Sequence, residues 1–258
     1  MVEVIVLFII SCGASIVGAI TGIGGGIIIK PVVDATGLLA PDVINFLSGC
    51  TVMSMSAVSL WRNIRSGLRV DSNRTFYLAG GAALGGVVGK FVFQTMLAGF
   101  DNTTSVTVWQ NVIILLLTAV VLWYVLQKHK LKSYNIKNCA VIVLIGGFLG
   151  IMSSFLGIGG GPINVMVLAL LFSMEGKEIT VNSILVILFS QVSSLIYSFC
   201  IGIPNFKISW LLVMVFGGVA GGIIGSGVLR RLSVKNMEVV FRILLVIIIC
   251  ICIFNIVK

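Results

Sequence analysis

Long apolar segments separated by short charged loops dominate the pattern of the chain. Eight runs carry almost no charge, and they cover 4–29, 43–61, 75–98, 106–127, 139–174, 179–201, 208–229 and 239–257. Because about 20 helical residues span a hydrocarbon core of roughly 30 Å, most of these runs have the length of one membrane crossing. The pattern therefore predicts an all-α polytopic membrane protein with four hydrophobic segments in each half.

Two of the runs are too long for one crossing, and both contain the stretch GIGGG, at 22–26 and at 157–161. The run 139–174 would extend about 54 Å as one straight helix, at about 1.5 Å per residue. Glycine suits sites where the backbone must bend. We therefore expect each run to break at GIGGG and to return as a hairpin, with Pro162 in the first turn of the second helix. In the first half the chain is expected to leave at Lys30 and Pro31. Irregular backbone at membrane depth must face the protein interior.

The two halves resemble each other beyond the glycines. At the same offset of 135 residues Ser48 matches Ser183, and Gly67 matches Gly202. This repetition indicates gene duplication. It predicts a first membrane repeat over 1–127, a basic cytoplasmic linker over 128–138 and a second membrane repeat over 139–258.

The loop charges favour the hairpins. With hairpins at both GIGGG stretches, the Lys and Arg residues of the loops divide twelve to three between the two sides, against ten to five if every run crosses once. The first division follows the positive-inside rule better. It also inverts the two halves relative to each other. Inverted repeats with discontinuous helices are a recurrent transporter design, with substrate bound near the midplane.

Composition narrows the class further. The chain of 258 residues is 59% hydrophobic and only 10% charged, whereas soluble domains carry about 25% charge. The net charge of +9 is concentrated in short loops, so it indicates membrane orientation and not nucleic-acid binding. The apolar N-terminus lacks a basic n-region and reads as a retained membrane segment. We expect a multi-pass protein of the cell membrane, in a prokaryotic plasma membrane.

The paired glycine motif resembles that of a known family. GIGGG before Pro31, a second GIGGGP ending at Pro162, and the serines and turn glycines matched above are similar to the TauE/SafE family of sulfite exporters and related anion permeases. The resemblance covers nearly the whole chain. It implies a carrier for small sulfur-containing or organic anions, of the sulfite, sulfonate or thiosulfate class. Leu47 departs from the small polar residues that this family often has before the position of Ser48.

An anion site here would rest on uncharged donors. All carboxylates fall near the ends of the predicted spans, and Lys90 is the one basic candidate at the centre; Lys30 fits either a mouth that attracts anions or a snorkelling anchor. Successive glycine N–H groups can form an anion nest, and a helix N-terminus adds about half a positive charge. The candidate substrate-binding residues are Thr21, Gly22, Gly24, Gly25, Gly26, Ser48, Thr51, Gly157, Gly159, Gly160, Gly161, Asn164, Asn182, Ser183, Ser190 and Gln191. Each hydroxyl could instead bond to its own helix backbone.

Other classes fit less well. A Ser–His hydrolase would need a histidine at depth as its base, and the only histidine is His129, in a predicted inner loop. We therefore expect no catalytic residues, no metal and no cofactor. A passive anion channel would use the same chemistry and stays an alternative, as does a non-transport membrane assembly protein, which would not require two matched breaks. The coupling proton or other ion, the direction of transport and the oligomeric state are left open.

Overall fold

A computed structural model describes residues 2–68, 70–99, 103–128, 130 and 132–257. His129, which the sequence analysis placed in an inner loop, lies outside the described residues. Within the described ranges the chain forms ten helices. They are α1 (Val2–Thr21), α2 (Gly26–Thr36), α3 (Pro41–Arg65), α4 (Ser72–Gly99), α5 (Thr103–Gln127), α6 (Cys139–Leu156), α7 (Gly161–Phe172), α8 (Lys177–Ile201), α9 (Ile208–Arg231) and α10 (Val234–Val257).

Eight of these helices are long and apolar enough to cross a membrane. The two others, α2 and α7, have 11 and 12 residues and are the helices that follow the GIGGG stretches. The predicted all-α polytopic architecture is confirmed. Because the outer faces of a membrane protein contact lipid, large apolar side chains such as Leu84, Leu144 and Phe216 are exposed on the molecule.

Both long apolar runs turn back on themselves. Helix α1 ends at Thr21, and a Cβ built on Gly25 would lie 3.2 Å from the backbone of Ala14 and Ser15. In the second half the segment before α6 pairs with the end of α7, since the N–H of Tyr134 donates to the carbonyl of Leu170 at 2.7 Å. The start of α6 and the end of α7 therefore lie at the same end of the molecule.

The predicted exit at Lys30 and Pro31 is wrong. Helix α2 continues through both residues to Thr36, with Pro31 inside it. A proline interior to a helix removes one backbone hydrogen bond. Packing outweighs that loss here, because Ile29 and Val33 are buried in an apolar cluster with Leu7 of α1.

Helices of the two halves interlock through glycines. Along α4 and α6, Gly81 faces Val143, Gly85 faces Gly147 and Gly89 faces Ile151, so the two helices run parallel. The pair α1 and α9 shows the same geometry, with Gly217 facing Ser11 and Gly225 facing Ala19. Small residues let helix backbones approach closely in a bilayer. Each half thus packs its first helix against the glycine-rich third long helix of the other half.

The helices in corresponding positions of the two halves run antiparallel. In the pair α3 and α8, Gly49 faces Gln191, whereas Leu60 clusters with Val181. In the pair α5 and α10, Lys128 forms an ion pair with Glu238 at one end. At the other end Asn255 donates to the side-chain oxygen of Asn111 at 3.2 Å.

Candidate functional site

The two GIGGG stretches cross each other at the centre of the molecule. A Cβ on Gly26 would lie 2.6 Å from the carbonyl oxygen of Ile158, and one on Gly24 would lie 3.2 Å from the carbonyl oxygen of Gly159. Ile158 is buried, and Ile23 is completely buried. The bare backbones of the two halves are therefore in direct contact, which only glycine permits at this spacing.

Two matched serines hold this crossing together. The Ser48 hydroxyl of α3 donates to the Gly157 carbonyl at 3.0 Å, and the Ser183 hydroxyl of α8 donates to the Gly22 carbonyl at 2.6 Å. Each serine thus fixes the break of the opposite half. Both hydrogen bonds are buried, where leaving a carbonyl without a partner would cost about 1–3 kcal/mol.

The glycine conformations differ between the breaks. Gly22 and Gly24 have φ of 76° and 85°, whereas Gly25 has φ of −70° and precedes α2 in a right-handed conformation. In the second break every glycine has positive φ, with 66° at Gly157, 73° at Gly159, 98° at Gly160 and 57° at Gly161. Left-handed backbone is unfavourable for other residues by roughly 1–2 kcal/mol. Both stretches therefore need glycine, but the second needs it at more positions.

Several predicted site residues have structural partners away from the crossing. Thr21 and Thr51 donate to carbonyls of their own helices, at Val17 and Leu47, both at 2.8 Å. Asn182 accepts from the Thr75 hydroxyl at 2.6 Å and joins α8 to the start of α4.

Of the remaining predicted polar residues, one has a hydrogen-bond partner on another helix, and two have buried polar atoms without a partner among the described residues. Gln191 donates to the Ser153 hydroxyl at 3.1 Å and joins α8 to α6. Asn164 faces Gly160 of the second break. Its side-chain oxygen and the Ser190 hydroxyl are buried without a hydrogen-bond partner among the described residues. The glycines, Ser48, Ser183 and Asn164 thus meet at the crossing of the breaks.

The structure shows that Lys30 and Lys90 are both buried, and it adds Asp34 and Asn45, which the sequence analysis missed. Lys30 has no exposed surface, so it is neither at a mouth nor a snorkelling anchor. The Asp34 side chain is 2% exposed and pairs with Lys30 at 4.0 Å, so a carboxylate is buried inside the helix bundle after all. Lys90 is buried and donates to the side-chain oxygen of Asn45 at 2.7 Å. Asn45 in turn contacts Gly157. The available signal was the Lys–Asp spacing of four residues, which places both side chains on one helix face.

A cavity leads from one end of the molecule to the first break. Its outer part has a volume of about 410 Å³ and opens beside Lys128 and Glu238. Its inner part, of about 80 Å³, reaches Thr21 and Thr180, and Thr180 contacts Gly22. Such a volume holds several water molecules. The first glycine break is therefore next to a space that opens at the end carrying Lys128.

Comparisons with known proteins agree with this architecture. The family profile described as "Sulfite exporter TauE/SafE" matches residues 7–252. The chain is similar to the "Probable membrane transporter protein YunE" of Bacillus subtilis (strain 168), with 24% identity in an alignment 277 positions long that covers 95% of this chain and 96% of that protein. No solved structure matches the chain.

Proposed function

The chain belongs to the sulfite exporter TauE/SafE family of membrane transporters, and from this premise we propose that it carries small sulfur-containing or organic anions across the cell membrane. Sulfite, sulfonates and thiosulfate form the proposed substrate class. The anion binds near the midplane, at the crossing of the two GIGGG stretches. The observation that carries this proposal is the direct contact of Gly24 and Gly26 with Ile158 and Gly159, deep inside the bundle.

The chemistry of the crossing suits an anion. Helices α2 and α7 both begin there, at Gly26 and Gly161. The first four N–H groups of a helix have no partner within that helix, and the helix dipole favours negative charge at this end. Pro162 occupies the first turn of α7, where its missing N–H removes no hydrogen bond. Two helix N-termini from opposite halves thus converge on one place.

Alternating access is the proposed mechanism, with the two halves as inverted repeats. The antiparallel arrangement of α3 with α8 and of α5 with α10 supports this relation, because an in-plane two-fold axis reverses corresponding helices. Because the chain returns to its starting side at each break, corresponding helices of the two repeats can point in opposite directions. The cavity beside Thr180 opens at the end of the molecule that carries Lys128 and Glu238. We interpret this as a state open to the side of Lys128.

Transport assays on purified protein test the proposal. Proteoliposomes are loaded with unlabelled sulfite, methanesulfonate, thiosulfate or a carboxylate, and uptake of the labelled anion is measured with and without a pH gradient. A carrier is expected to show faster labelled uptake when unlabelled substrate is inside, because the loaded carrier returns. Uptake that ignores internal substrate would favour a passive channel. No uptake of any of these anions by well-folded protein would contradict the proposed function.

A further inference from the structure

Two lysines are buried toward the end of the molecule that lies opposite to the opening of the cavity. Lys30 on α2 has no exposed surface, and Lys90 on α4 is 4% exposed. We define the lysine cluster as these two residues together with Asp34, Asn45 and Asn111. A charged side chain taken out of water costs several kcal/mol unless other groups compensate it. Burial of two such groups therefore requires a reason.

The charges inside the lysine cluster do not balance. Asp34 is the only carboxylate buried there among the described residues, 4.0 Å from Lys30, and it also accepts from Asn111 at 3.3 Å. Lys90 donates to the neutral Asn45 and lies 5.2 Å from the ring centroid of Phe93. Lys30 lies near enough to repel Lys90, and the partly buried Asp42 lies near enough to attract it. The two buried ammonium groups therefore share one fully buried carboxylate and one partly exposed carboxylate.

Hydrogen-bond donors are in excess as well. The Lys30 ammonium and the side-chain nitrogen of Asn45 are buried and have no hydrogen-bond partner among the described residues. Both residues are more than nine-tenths buried. The side-chain nitrogen of Asn45 contacts Gly157, in the second glycine break. The Asn45 donor therefore lies next to the place where the two halves cross.

The repeat itself does not require this charge. At the offset of 135 residues, Val165 and Ala169 stand where the first half has Lys30 and Asp34. Val165 and Ala169 of α7 line the open cavity. The second repeat thus has two apolar side chains at these positions, and the first repeat has a buried ion pair. Such a difference is expected of a binding site and not of a shared structural feature.

We propose that Lys30 and Lys90 form the charge-recognition site for the transported anion, at the second glycine break. This inference rests on the proposed carrier function and specifies its substrate. Because the site offers buried ammonium and amide donors without partners, the preferred ligand is a small oxyanion, such as a sulfonate group. Its oxygens accept hydrogen bonds from the Lys30 ammonium and from Asn45.

Binding to detergent-purified protein tests the site. The probes are methanesulfonate and dimethyl sulfone, which have similar shape but differ in charge. The wild-type protein is expected to bind methanesulfonate and to bind dimethyl sulfone at least about tenfold more weakly. Lys30→Gln and Lys90→Gln are each expected to weaken methanesulfonate binding by about ten- to a hundredfold, because each removes a charge-assisted hydrogen bond or a nearby charge.

Lys207→Gln is the matched control. Lys207 lies at the same end of the molecule but is exposed, where it pairs with Glu3 at 3.8 Å. The Lys207→Gln variant also removes one positive charge. We expect it to change the Kd for methanesulfonate by less than about twofold, because exposed charges are screened by water and salt. Equal weakening of methanesulfonate binding in all three variants would indicate an effect of overall charge, and this result would overturn the proposal.

A second pair of variants separates recognition from folding. Lys30→Gln leaves Asp34 without its partner, so Lys30→Gln combined with Asp34→Asn removes both charges of the pair and keeps the net charge of the cluster, and Lys90→Arg keeps the charge of Lys90. We expect the double variant to fold but to bind weakly, and Lys90→Arg to bind better than Lys90→Gln. Wild-type affinity in the double variant, or equal binding of methanesulfonate and dimethyl sulfone, would overturn the lysine site while the carrier function stands. Failure of the wild-type protein to bind or transport any tested anion would contradict the carrier function itself.

Discussion

Gly26 is the residue at which one methyl group should matter most. A Cβ there would lie 2.6 Å from the Ile158 carbonyl oxygen, although Gly26 is already helical. We expect Gly26→Ala to lower the free energy of unfolding by about 1–3 kcal/mol, because it pushes the two breaks apart. Thermal unfolding in detergent measures the effect.

Gly13→Ala is the control for that prediction. Gly13 also lies in a helix, and nothing stands within 4 Å of the added methyl group. It should be neutral or stabilising by about 0.5–1 kcal/mol, since alanine loses less backbone entropy than glycine. Equal stability of Gly26→Ala and Gly13→Ala would show that the contact between the breaks is loose.

Ser48 and Ser183 carry the second prediction at this scale. Ser48→Ala and Ser183→Ala each leave a buried glycine carbonyl without its donor, so each should destabilise the protein by about 1–3 kcal/mol. Ser198→Ala is the control, because the buried Ser198 hydroxyl donates to the Ser194 carbonyl of its own helix. Urea unfolding monitored by tryptophan fluorescence gives the three values. A loss at Ser198 as large as at the other two serines would count against a special role for the crossing.

Among the helices, the hairpins decide which loops share a side of the membrane. Lys177 donates to the Arg230 carbonyl at 2.9 Å, and Lys128 pairs with Glu238. These contacts bring the loops before α6, α8 and α10 to one end. The exposed loop between α8 and α9 lies at the other end, where Lys207 pairs with Glu3.

Thiol labelling tests this arrangement in a protein freed of its six cysteines. An impermeant reagent added outside cells should not label Ser133→Cys or Ser233→Cys, whereas it should label Asn205→Cys. The positive-inside rule gives the direction, because the basic loops stay in the cytoplasm. Labelling of Ser133→Cys and Ser233→Cys from opposite sides would refute the hairpins.

For the molecule as a whole, the cavity predicts one-sided access. Ala169 lines both parts of it. We expect Ala169→Cys to react with an impermeant thiol reagent from the cytoplasmic side, and sulfite or methanesulfonate to change the reaction rate by shifting the balance of states. Val33→Cys, at a buried position on the corresponding helix α2, should react far more slowly. Simultaneous reaction of Ala169→Cys from both sides would indicate a continuous channel.

The sequence by itself determined the membrane class, the spans, both helix breaks and the equivalence of Ser48 and Ser183 in the repeat. These features depend on local hydropathy, on the backbone freedom of glycine and on a repeat that can be read at one offset. The tertiary structure alone decided what the serines bond to and that Lys30 and Asp34 are buried. Residues near the end of an apolar run look solvent-facing in a linear pattern. A returning half-helix brings them inside the bundle instead, and that outcome depends on contacts with distant residues such as Asn111 and Asn255.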